Sequence, residues 1–127
     1  MIDEEMIRAA ADQILHDTVA AAVYMINDND NIHFIVAGKK TVALEKLYEI
    51  SQNISAMLKY KVDVMDMGRF NAADKVRIIS HAAFVHSENE FEQKLLETEA
   101  FLAYQMHDRE RNHIIERKRV SGSFYLQ

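Results

Sequence analysis

Lys61-Val-Asp-Val-Met-Asp-Met67 is the stretch whose reading decides the fold. It reads as a strand, and it follows a long amphipathic helical pattern. Ala43, Leu44, Leu47, Ile50, Ile54, Met57 and Leu58 recur there at helical spacing. Thr41 is a candidate cap for that helix. Gly68 breaks the strand, and Asn71 is placed to cap a short helix through Ile79.

Upstream, Asn31-Ile-His-Phe-Ile-Val-Ala37 reads as a second strand ended by Gly38. Asn27-Asp-Asn-Asp-Asn31 before it is a turn, because Asn and Asp satisfy nearby backbone groups and tolerate left-handed conformations. Thr18 to Ile26 reads as the partner strand, antiparallel if the turn is tight. Asp3, Glu4 and Glu5 open a first helix expected to end near His16.

Downstream, Ala82 to His86 is a short apolar stretch read as a small strand. Ser87-Glu-Asn-Glu90 fits a capping box in which Ser87 and Glu90 satisfy reciprocal donors. It opens the longest helix, past Phe91, Leu95, Leu102 and Met106 to about Arg117. The resulting order is α-β-β-α-β-α-β-α. The fold class is α/β (α+β): a small mixed sheet with helices mostly on one face and a long C-terminal helix. That helix exceeds what so small a sheet can cover, so part of it is expected to bind a partner or a second copy. Tyr48, Phe91, Phe101 and Tyr104 could form a dimer seam, although core positions are the commoner use of such residues.

Composition narrows the function. The chain has 127 residues, 49% hydrophobic and 28% charged, which suits one domain with a real core. With no proline and three glycines there is little linker material, so residues 1–119 form a single domain and 120–127 a tail. No apolar run approaches the roughly 20 residues of a membrane helix, and the acidic start lacks a signal-peptide pattern. The expected location is cytoplasmic. The absence of cysteine excludes disulfides and thiolate zinc sites. A formal net charge of −5 argues against direct nucleic-acid binding. The one basic cluster, Arg117-Lys118-Arg119, reads best as a solvated helix end favourable to the helix dipole.

The segment from Val23 to about Ile115 resembles the minimal nucleotidyltransferase (MNT) family, the antitoxin partners of HEPN toxins within the polymerase-β superfamily. Val62-Asp-Val-Met-Asp-Met67, with the Asn71 to His86 stretch behind it, carries the match. Family members hold two divalent cations on three aspartates and cradle a triphosphate on a Gly-Ser loop. The resemblance places the third aspartate on Asp63 and the first two on Asn31 and His33. The loop falls on Asn27 to Asp30, which has neither glycine nor serine. One carboxylate cannot hold two magnesium ions. Asn31 is a weaker neutral ligand and His33 is too soft for magnesium.

The resemblance thus implies a catalytically inactive antitoxin or regulatory subunit. It would mask a helical HEPN ribonuclease by contact and need no cofactor, with a homodimer as a further assembly. Asn31, His33 and Asp63 become relict positions with no expected catalytic or metal role. The alternative is an altered nucleotidyltransferase using Mg2+ and ATP, with Asp28 and Asp30 joining Asp63 as ligands. An Asx-rich hairpin turn is the simpler use of Asp28 and Asp30. A further alternative has His33 and Asp63 face each other and bind zinc or manganese, the simpler reading being a polar pair in a relict cleft.

Overall fold

The computed structural model describes residues 2–28 and 30–121, with side chains to residue 106. Helix α1 (Glu4–Thr18) starts on Asp3, whose carboxylate accepts from the Met6 amide. Strand β1 (Ala22–Asn27) and strand β2 (Ile32–Ala37) form an antiparallel hairpin. The Asp28 and Asn31 backbones close its turn through reciprocal hydrogen bonds of 2.9 and 3.2 Å. Helix α2 (Leu44–Leu58) crosses to strand β3 (Val62–Asp66), which pairs parallel with β2. A single 3-10 turn (Met67–Arg69) leads to helix α3 (Ala72–His81), strand β4 (Ala83–Ser87) and helix α4 (Glu90–Ser121). The sheet order is β3-β2-β1-β4.

This is the expected α/β (α+β) element order, a mixed sheet with flanking helices and a long C-terminal helix. The helices, however, are divided between both faces. Ile32, Phe34 and Val36 alternate toward one side, where Ile14 of α1 and Ile50 and Ile54 of α2 complete a dry core. Ile35 and Ala37 face the other side, with Tyr24, Ile78 of α3 and Leu96 of α4. The runs of consecutive apolar residues in β1 and β2 fit strands covered on both faces.

Several boundaries shift for local reasons. Helix α1 runs on to Thr18, whose hydroxyl donates to the Ile14 carbonyl at 2.8 Å. Val19 then leaves the helix in a left-handed conformation with φ 55°, so β1 starts at Ala22 rather than Thr18. Lys59 closes α2 with the same φ of 55°. The cap of α2 is Ala43, without a side-chain hydrogen bond, and not Thr41. Asn71 caps α3 as expected, accepting from the Asp74 amide at 2.8 Å.

The capping box at Ser87 does not form. Ser87 stays in β4 and donates to the Ala21 carbonyl at 3.1 Å. Asn89 caps α4 instead, its side chain accepting from the Glu92 amide at 3.0 Å. Helix α4 extends through Ser121, past the expected Arg117; residues 122–127 of the tail lie outside the described residues. The four aromatic residues weighed mainly as core are at the surface: Tyr48, Phe91, Phe101 and Tyr104 are all exposed.

Among the described residues, no helix is long and apolar enough to cross a membrane. Gly38, at the end of β2, is a close-approach position. A Cβ there would sit 3.1 Å from the Ala20 Cα, so a larger residue would push β2 off the α1–β1 connection.

Candidate functional site at the edge of the sheet

The parallel register of β2 and β3 decides which residues meet. His33 pairs with Asp63. The period-2 alternation turns both away from the dry core, onto the face of Tyr24 and Ile35. His33 Nδ1 lies 3.6 Å from Asp63 Oδ2. That is too long for a well-formed hydrogen bond and short enough for an ion pair when the imidazole is protonated. Asn31 sits one residue before β2. Its Oδ1, like His33 Nδ1, is buried without a hydrogen-bond partner. Burying polar atoms unpaired costs free energy, so this corner of the sheet carries unmet hydrogen-bonding capacity.

His33 and Asp63 open into a groove of about 550 Å³ that wraps the β3 edge. Ile26, Leu44, Tyr48, Met65 and Phe70 give it mostly apolar walls, and Arg69 lies at its rim. Arg69 donates to the Val42 carbonyl at 2.7 Å. Asp66 ties the same seam from beneath. It is 2% exposed and accepts from the Val42 amide at 2.7 Å and the Gly68 amide at 2.9 Å. Together they fasten the β2–α2 connection to the end of β3. Sequence reasoning gave Asp66 no role, yet its position between a strand and a glycine is where a carboxylate stops a strand by capping a turn.

A second polar group lies deeper on this face. The Tyr24 hydroxyl donates to a Glu97 carboxylate oxygen, and Gln93 Nε2 donates to the same oxygen at 3.2 Å. Burial pushes the Tyr24 hydroxyl well above the usual tyrosine range, and the bond to Glu97 adds to that shift. Tyr24 therefore remains a neutral donor that pins α4 to β1. Gln93 and Glu97 are four residues apart on one helix face. That spacing is a visible signal, but nothing in sequence pairs it with Tyr24.

Asp28 and Asp30 are exposed in the hairpin turn. They do not form with Asp63 a group of ligand atoms within 4.8 Å of one another. The groove therefore presents the His33 imidazole and one exposed carboxylate, Asp63; its second carboxylate, Asp66, is buried and already engaged by the Val42 and Gly68 amides. A pair of magnesium ions bridging a polyphosphate demands several hard, anionic oxygens in near-octahedral array. The orphaned Asn31 Oδ1 and His33 Nδ1 do not meet that demand.

No protein-family model and no curated protein matches the sequence. Solved structures do. The chain matches the crystal structure of the toxin–antitoxin pair MntA–HepT with a TM-score of 0.69 at 19% identity, over 89% of this chain and 93% of that one. The tri-AMPylated Shewanella oneidensis HEPN toxin in complex with MNT antitoxin gives a TM-score of 0.69 at 17% identity, over 89% and 92%. A further Shewanella oneidensis structure reaches a TM-score of 0.72 at 17% identity, over 90% and 97%. Over nearly its whole length, then, this chain has the nucleotidyltransferase-like fold seen in the MntA–HepT and HEPN toxin–MNT antitoxin structures.

Proposed function

We propose that this protein is an MNT-type antitoxin that restrains a HEPN-fold ribonuclease by binding it, without transferring a nucleotide. The supporting observation is the pairing of His33, not a second aspartate, with Asp63 on a scaffold shared with MntA–HepT. Phosphoryl-transfer chemistry is largely charge neutralisation and positioning, so losing the anionic ligands removes the means of catalysis while the scaffold stays intact. The net charge of −5 suits an acidic blocker of a ribonuclease, whose substrate is itself polyanionic.

The test is co-expression with a HEPN-fold ribonuclease encoded beside it. The two proteins are expected to co-purify, RNA cleavage to fall on mixing, and the intact mass of the toxin to stay unchanged with ATP and Mg2+. Failure to associate overturns the antitoxin reading. An AMP-sized addition to the toxin that disappears in Asp63→Asn overturns the binding-only mechanism and favours an altered nucleotidyltransferase.

A further inference from the structure

At the opposite edge of the sheet, three side chains with no part in the proposed antitoxin activity converge. Asp12 projects from α1, His86 from β4, and Glu88 from the residues leading into α4. Their ligand atoms all lie within 4.8 Å of one another, the one such group among the described residues. His86 Nε2 is 3.4 Å from Asp12 Oδ1 and 3.5 Å from Glu88 Oε1.

The β4 strand brings them there by an irregularity. Val23 pairs with His86 but Tyr24 pairs with Phe84, so Val85 is an extra residue in the ladder. A bulge of this kind turns successive side chains the same way. Val85 packs against the dry core beneath α1 and α2, and the neighbouring His86 reaches Asp12 on α1. The Glu88 amide bonds to the Ala21 carbonyl at 2.8 Å, which holds the chain close to β1 as it leaves the strand.

The spacing fits metal ligation better than direct hydrogen bonding. An N–H···O bond peaks near 2.9–3.0 Å and is weak by 3.4 Å. Ligands about 2.0–2.1 Å from a tetrahedral ion are separated from one another by roughly 3.3–3.4 Å. The distances from the imidazole, 3.4 and 3.5 Å, lie close to that value, and they also fit ion pairs when the imidazole is protonated. One imidazole and two carboxylates form a donor set that zinc accepts, whereas magnesium and calcium prefer oxygen alone. The exposed position of Asp12 and Glu88 leaves room for water at the fourth position.

We propose that Asp12, His86 and Glu88 bind a divalent zinc ion that clips α1 to the β4 edge of the sheet. The site lies across the sheet order from the His33–Asp63 groove, and the proposal does not depend on the antitoxin reading.

Zinc titration of the full-length, metal-stripped protein, followed by calorimetry and thermal melting, tests it. Wild type is expected to bind one equivalent saturably and to melt at a higher temperature with zinc. His86→Ala, Asp12→Asn and Glu88→Gln should each weaken binding at least about tenfold and reduce the thermal gain. All three variants should keep the wild-type far-UV circular dichroism, because Asp12 and Glu88 are exposed and the half-buried His86 makes no hydrogen bond shorter than 3.4 Å to either. His33→Ala should bind zinc like wild type. No saturable binding overturns the proposal, as does binding that survives in His86→Ala and Asp12→Asn or is lost in His33→Ala.

Discussion

The two faces of the sheet contrast. The face under α1 and α2 is closed by Ala10, Ile14, Val23, Phe34, Val36, Ile50 and Ile54, all essentially without exposure. The face under α3 and α4 mixes apolar contacts with Tyr24, Gln93 and Glu97, and at one edge it opens onto His33 and Asp63. The first face makes the domain fold. The second gives up packing to accommodate polar groups. The same two strands serve both purposes, since alternate residues of β2 and β3 face opposite ways.

Substitutions can break or sharpen this contrast. The largest effect belongs to the dry face. Phe34→Ala leaves a cavity in the central strand and is expected to cost about 3–5 kcal/mol, measured by urea denaturation. Asp66→Ala, at the seam, leaves the Val42 and Gly68 amides without their acceptor and should cost about 2–3 kcal/mol.

On the polar face, Tyr24→Phe should cost only about 1 kcal/mol near neutral pH. It should also change the alkaline limb. The folded state holds the Tyr24 proton more tightly than the unfolded chain does. Stability from this residue is therefore fully present below the unfolded tyrosine value of about 10 and declines as pH rises beyond it. Melting temperatures should fall less steeply above that pH in Tyr24→Phe than in wild type. The smallest effect is expected from Asp63→Asn. Its side chain is 51% exposed and among the described residues it pairs only with His33, so stability should change by less than about 0.5 kcal/mol. A large loss there would show that the groove edge is part of the core after all and would dissolve the contrast.

Much of this arrangement was legible in the residues. The helical stripe from Leu44 to Leu58, the turn at Asn27–Asn31 and the Asn71 cap depend on local chemistry and appear where local chemistry puts them. The pairing of His33 with Asp63 followed from the resemblance, which supplied the register that periodicity alone lacks. What stayed hidden depends on long-range packing. Ser87 and Asn89 both suit a helix start, and the choice fell to Asn89 because Ser87 is claimed by the Ala21 carbonyl of a neighbouring strand segment. The division of helices between faces was invisible because both sides of β1 and β2 are apolar. Asp12 and His86 are far apart in sequence, and the packing of α1 on β4 with its bulge at Val85 makes them neighbours.

The ends of α1 and α2 bear on engineering. Val19 and Lys59 occupy a backbone region where glycine is the natural tenant, and for a β-branched valine that posture is especially awkward. Val19 is 87% exposed, so its side chain contributes little to offset the discomfort. Glycine at Val19 is expected to relieve this strain and raise the melting temperature. A lone Val19→Gly exchange, outside the residues that line the groove, is a route to a sturdier specimen for crystallisation.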